Sequence, residues 1–132
     1  MISTKGRYAL RVMIDLAENS GRGFVPLKEI ADRQEISKKY LEIIVKELVQ
    51  GKLLVAVSGK GGGYMLARQP ADYPVGEILE LMEGTVSPVA CLADKNYNCP
   101  RRSKCSTLPM WEEYDRLTRD FFFGRTLADF VK

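Results

Sequence analysis

Cys91, Cys99 and Cys105 are the three cysteines of the chain, and they share one window with the spacing C-x7-C-x5-C. Thiolates are soft ligands suited to iron–sulfur clusters, zinc or copper(I). Arg101, Arg102 and Lys104 lie between the last two cysteines. Positive charge there lowers thiol pKa values and partly offsets an anionic cluster. Three cysteines are one short of the usual four-thiolate set, and the chain has no histidine to complete it. In a reducing compartment, clustered cysteines are metal-binding or redox-active more often than structural disulfides. The residues alone leave three readings open: an iron–sulfur cluster, a zinc site, or thiols that are inert or merely exposed to oxidants.

The same inventory speaks against an enzyme. The sequence has no histidine for acid–base work, no G-x-S-x-G, no P-loop and no recognisable pair of carboxylates. A thiol enzyme would need a base that the chain does not visibly supply. No run approaches the roughly 18 apolar residues of a membrane span. The start, Met1 to Arg7, lacks the apolar core of a signal peptide. The expectation is a cytoplasmic protein without a membrane partner.

The elements that must hold the thiol window read as follows. A length of 132 residues fits one domain, or a small domain with an appendage. Ser3 or Thr4 can cap a first helix with the stripe Leu10, Met13, Ile14 and Ala17. Asn19-Ser20-Gly21 stops it, and Phe24-Val25-Pro26 forms a short extended bridge. A second helix over about 27–33 turns Leu27, Ile30 and Ala31 inward. Ser37 caps a third helix, with Ile36 and Leu41 spaced as a hydrophobic staple and Leu41, Ile44, Val45 and Leu48 inward. Two strand-like runs, 53–57 and 64–67, flank the glycine-rich tip 58–63. A fourth helix carries Val75, Ile78, Leu79 and Met82 inward and ends at Gly84. After the thiol window, Pro109 opens a longer helix with the stripe Met110, Trp111, Tyr114, Leu117 and Phe121, and a short piece, 126–131, finishes the chain.

The order helix, helix–turn–helix, hairpin predicts a mostly α fold with a small β-hairpin wing: a winged helix–turn–helix domain plus a C-terminal dimerisation helix. The expected divisions are a DNA-binding domain over 1–84, a cysteine-containing sensor loop over 85–106, and the dimerisation helix with its tail over 107–132. Charge is unevenly placed along the chain. Residues 1–70 carry a net +5 and residues 71–132 a net −2, so the front half suits a polyanion. The first turn and outer face of the third helix offer Ser37, Lys38, Lys39, Tyr40, Glu42 and Lys46. Lysines and helix N–H groups can meet phosphates, and a glutamate can accept from the cytosine amino group. Glu42 can instead pair along the helix with Lys38 or Lys46. Lys60 among glycines, with Ser58 before it, lets the wing approach a phosphate track. The alternative for the whole domain is a protein-docking module.

The segments Ser3-Thr4-Lys5-Gly6-Arg7-Tyr8-Ala9-Leu10, Ile36-Ser37-x-x-Tyr40-Leu41-Glu42, Gly61-Gly62-Gly63-Tyr64-x-Leu66 and Val89-Ala90-Cys91, in that order, resemble the Rrf-type bacterial transcription regulators. The likeness covers nearly the whole chain. It implies a homodimeric regulator that binds a partly palindromic double-stranded operator, with recognition helices about one DNA turn, roughly 34 Å, apart. It assigns DNA contact to Ser37, Tyr40 and Glu42, and pairs the long C-terminal helix with its mate. The stripe Trp111, Tyr114, Leu117 and Phe121, with more apolar surface than a small core readily covers, supports that seam on physical grounds. The physical alternative for that helix is packing back on its own winged domain. The likeness also makes Cys91, Cys99 and Cys105 ligands of an iron–sulfur cluster, [2Fe–2S] favoured over [4Fe–4S]. Its fourth ligand is unassigned: Leu108 stands where some members carry a histidine and Tyr8 where others carry an acidic residue. Asp94, Asn96, Asn98, a small thiol or water remain open. The alternative is a cluster-free, CymR-like regulator controlled by a partner protein or by thiol oxidation.

Overall fold

The computed structural model describes residues 1–94 and 96–132. Helix α1 spans Thr4–Glu18, α2 Leu27–Gln34 and α3 Lys38–Gln50. Strands β1 (Leu54–Val57) and β2 (Gly63–Leu66) pair antiparallel, Leu54 opposite Leu66 and Val57 opposite Gly63. Helix α4 (Val75–Glu83) follows a 3-10 turn at Pro70–Asp72; α5 (Ala90–Ala93) is a single turn, and α6 (Leu108–Phe123) is the longest helix. The chain closes with a 3-10 turn, Leu127–Phe130.

Ser3 caps α1: its hydroxyl accepts from Gly6 N–H and donates to Glu83 Oε1, tying the chain start to α4. The inward face of α1 is Ala9, Val12, Met13, Leu16 and Ala17, rotated by about one residue from the expected stripe. Leu10 and Ile14, expected inside, are only half-buried at its edge. Because α1 touches α2, α3, α4 and the wing, its covered arc is wider than a four-residue stripe, and small Ala9 sits at its centre. Leu27 in α2 is likewise half-buried, while Ile30 and Ala31 are buried.

Asp15 lies within the covered arc of α1, only 2 % exposed. A buried carboxylate is costly unless paired and hydrogen-bonded. Arg33 donates to both its oxygens at 3.0 and 2.8 Å, and Gln34 Nε2 donates at 2.9 Å. The two donors from α2 thus fix that helix against α1. Arg33 continues to Glu29, which Arg22 also grips. Hydrogen bonds from Arg22 and Arg33 lower the Glu29 carboxyl from the ordinary 4.5 to about 2.

Helix α3 matches its pattern fully. Leu41, Ile44, Val45 and Leu48 are buried, Ser37 Oγ accepts from Tyr40 N–H at 3.1 Å, and Ile36 and Leu41 both enter the core. The wing is anchored along the outer edge of β2. Val25 and Tyr64 exchange backbone hydrogen bonds of 2.8 and 2.9 Å, adding the expected 24–26 bridge to the hairpin edge. Gly63 (φ +150°) has no room for a side chain, because a Cβ would strike the Val25 carbonyl.

Tyr73 closes the domain. It is fully buried, and its hydroxyl accepts from Ala67 N–H (2.8 Å) and Arg68 N–H (3.0 Å) and donates to the Leu53 carbonyl (2.7 Å). One hydroxyl therefore holds the entrance of β1 to the exit of β2. Burial pushes the phenol pKa up. The C-terminal tail returns to the same place: Leu127 is fully buried, its N–H donates to the Tyr73 carbonyl, and Thr126 bridges Pro74. The sequence grouping of this tail with α6 gave no hint of that docking.

Tyr73→Phe should lower unfolding free energy by about 1–3 kcal/mol, the cost of leaving buried polar groups unpaired. Urea titration followed by circular dichroism measures it; a loss below about 0.5 kcal/mol contradicts the assigned role.

Candidate nucleic-acid interface and thiol loop

The expected contact residues of α3 lie on the face its core stripe leaves free. Ser37, Lys38, Lys39, Glu42 and Lys46 are exposed. Among the described residues Glu42 has no ion-pair partner, so the intrahelical pairing with Lys38 or Lys46 is not made. Tyr40 differs from its neighbours. It is half-buried against Tyr8, with ring centroids 5.7 Å apart, and Arg11 stacks over Tyr8 at 5.1 Å. Arg11 in turn donates to the Gln34 backbone carbonyl and side chain. This aromatic and cationic stack fixes Tyr40 at the helix edge. Ser58 and Lys60 are exposed at the wing tip, where Gly59 and Gly61 take positive φ.

Ile43 was missed by the sequence reading. It is 56 % exposed on the outward face of α3. The signal was available: an isoleucine off the 41–44–45–48 stripe must point away from the core.

Helix α6 is amphipathic, yet none of its residues is buried. Its C-terminal end is anchored: Phe122 and Phe123 pack with Val75, Leu79 and Val86, and Arg119 pairs with Glu80. Gly76 permits the close approach, since a Cβ there would enter the Phe123 ring. The other face is bare. Tyr114, Leu117 and Phe121 are 51, 59 and 52 % exposed, and Met110 extends the row at 52 %. Trp111, expected in this row, is instead half-buried. The row borders an apolar groove of about 500 Å³ shared with Met1, Ile2 and the segment 85–88.

The thiol loop divides into two environments. Cys91, on α5, lines a cleft of about 450 Å³ with Asp94, Asn96, Tyr97, Asn98 and Arg102. The candidate oxygen ligands thus lie beside Cys91, and neither Cys99 nor Cys105 lines the same cleft. Cys105 sits just before α6. Its sulfur is 3.6 Å from Thr107 Oγ1, which also accepts from Trp111 Nε1 at 3.1 Å. An indole nitrogen can only donate, so the threonine proton is free to point at the sulfur. Hydrogen bonding from the Thr107 hydroxyl, then from the Thr107 and Leu108 backbone and the charge of Arg101, lowers the Cys105 thiol pKa.

All three thiols are half-buried and unpaired. Among the described residues, no group of three or more cysteine, aspartate or glutamate side chains stands close enough to hold a metal ion. The donor chemistry suits an iron–sulfur cluster, but this arrangement does not form its ligand set. Also among the described residues, no helix is long and apolar enough to cross a membrane.

Comparison with known proteins agrees with the architecture. A family described as "Rrf2: Iron-dependent Transcriptional regulator" matches residues 2–132. The HTH-type transcriptional regulator IscR of Sodalis glossinidius is 35% identical over 130 residues, covering 98% of this chain and 78% of the relative. Protein rrf2 of Nitratidesulfovibrio vulgaris is 34% identical over 131 residues, covering 99% and 87%. Among solved structures, CymR, the global cysteine regulator of B. subtilis, superposes with a TM-score of 0.80 at 33% identity, covering 99% of this chain and 95% of that one. IscR of T. potens superposes with a TM-score of 0.74 at 36% identity, covering 98% and 85%. A winged helix–turn–helix core, an appended amphipathic helix and matches along the full length have one conclusion: the chain belongs to the Rrf2 family of transcriptional regulators.

Proposed function

We propose that this chain works as a homodimeric, DNA-binding regulator whose 85–106 loop is the input and whose α6 is the dimer seam. The observation that carries the DNA reading is the division of α3. Its inward stripe is fully buried, while Ser37, Lys38, Lys39, Glu42 and Lys46 stand exposed at its first turns and outer face. Lys38 and Lys39 lie where the helix N-terminus favours anions, and Ser58 and Lys60 give the wing a second backbone contact. Tyr40, braced on Tyr8, is a rigid edge contact. A regulator of this kind is no enzyme: it acts by a change in DNA affinity.

The dimer reading is supported by the bare row on α6, Met110, Tyr114, Leu117 and Phe121. A contiguous apolar surface of this kind marks an interaction face, and a two-fold pair would cover each row with its copy.

For the input, an iron–sulfur cluster held by Cys91, Cys99 and Cys105 is supported by the soft donor set, by the iron-dependent family description and by the relatives named IscR. Such a ligand would have to draw the two halves of the loop together. Thiol control is the second reading, and the Cys105 surroundings favour it: a hydroxyl, two backbone N–H groups and Arg101 all stabilise its thiolate. Both readings act by biasing an equilibrium between DNA-competent and incompetent dimers.

Three outcomes are expected. Lys38→Ala and Lys39→Ala should each weaken binding to any duplex and reduce the salt slope by about one, measured by fluorescence anisotropy over a salt series; unchanged slopes would remove these lysines from the interface. Anaerobic reconstitution with iron and sulfide should give a coloured, iron-containing protein, with colour and iron lost in Cys91→Ala; colourless, iron-free wild type leaves only the thiol reading. Thr107→Val should slow alkylation of Cys105 near neutral pH, because it raises the thiol pKa and shrinks the thiolate fraction, while Cys91 and Cys99 react as before. Peptide mass spectrometry after timed labelling measures this, and an unchanged Cys105 rate contradicts the hydroxyl's role.

A further inference from the structure

Ile43 is unused by the contacts described so far, yet it stands near the middle of the outward face of α3, 56 % exposed. Its neighbours along that face are polar. Lys39 and Lys46, at i−4 and i+3, are exposed, Glu47 at i+4 is held by Lys5, and Tyr40 at i−3 leans on Tyr8. A lone exposed aliphatic residue is ordinary on most surfaces. Its surroundings decide what could cover it here. A single isoleucine among lysines offers too little contiguous apolar area for a protein hot spot. The lysines beside it complement a polyanion. Within the major groove, the apolar feature that base pairs present is the C5-methyl of thymine.

We propose that Ile43 reads a thymine methyl group in the DNA site of this regulator. The inference rests on the DNA-binding reading of α3 and names one feature of the sequence it selects. A β-branched side chain in a helix has one strongly preferred χ1 rotamer, so Ile43 covers a methyl with little loss of side-chain freedom. Glu42 beside it can accept from a cytosine amino group, so adjacent residues are suited to bases of opposite character. The contact discriminates thymine from unmethylated cytosine and from deoxyuridine. A 5-methylcytosine, which presents a methyl at the same ring position, retains it.

The test begins with selection of duplexes from a randomised library by the wild-type protein. Each thymine of the selected duplex is then replaced in turn by deoxyuridine, and affinities are measured for wild type and Ile43→Ala. At one thymine per bound α3, loss of the methyl should weaken wild-type binding roughly fourfold, the worth of one buried methyl-sized group. Ile43→Ala should bind the thymine and deoxyuridine duplexes equally. A flat deoxyuridine scan with wild type, or the same loss in Ile43→Ala, overturns the proposal while leaving DNA binding intact. A library from which no duplex is retained overturns the DNA reading itself, and retention without an enriched sequence overturns the proposal. The wild-type scan needs no variant, so the proposal stays exposed to failure whatever the folding of Ile43→Ala.

Discussion

A helix of sixteen residues that fully buries none of its side chains is the constraint on which the rest of this molecule turns. Helix α6 gains a foothold at one end, through Phe122, Phe123 and the Glu80–Arg119 pair, and leaves the row Met110, Tyr114, Leu117 and Phe121 to solvent. Isolated helices of this length are marginal in water, and most helix stability in proteins comes from packing one face. In the proposed dimer the remaining cover comes from a second copy, which would supply an identical row. In the proposed dimer, the thiol loop sits where it can matter: Cys105 and Thr107 directly precede the helix that joins the copies. Trp111, bonded to Thr107, links the two.

The winged domain is built to hold α3 still while keeping its outer face free. Ile36 and Leu41 fix its entry, and four buried residues fix its inner face. Asp15 clamps α2 to α1 through Arg33 and Gln34, and Tyr8 and Arg11 brace the Tyr40 edge. Tyr73 joins both strands of the wing at its root. None of these bracing groups belongs to the proposed contact set of α3 and the wing. They act by preorganisation, so that binding orders few groups that were previously free.

Much of this was legible in the sequence because it rests on local rules. The α3 stripe, the Ser37 cap, the staple, the glycine-rich tip and the α4 stripe follow from periodicity and turn chemistry, and each is in place. What was not legible depends on contacts distant along the chain. The α1 stripe was misplaced by a residue because four elements surround that helix. Asp15 reads as a surface acid until Arg33, eighteen residues on, is seen to cover it. Tyr73 and Leu127 reveal their roles only when 53, 67 and the tail converge. Trp111 was placed in the bare row by spacing, but its indole N–H turns to Thr107. The thiol window was found from composition alone, whereas its division into a Cys91 cleft and a Cys105 corner is a matter of loop geometry that spacing does not encode.

In the proposed dimer, α6 requires a second copy of the chain. Sedimentation equilibrium of the reduced, metal-free protein at micromolar concentration tests it most directly. The expected result is a particle of about twice the 14.9 kDa chain mass, reduced to the single-chain mass by Leu117→Glu, which places a charge in the middle of the row. A wild-type particle of single-chain mass under those conditions would contradict it.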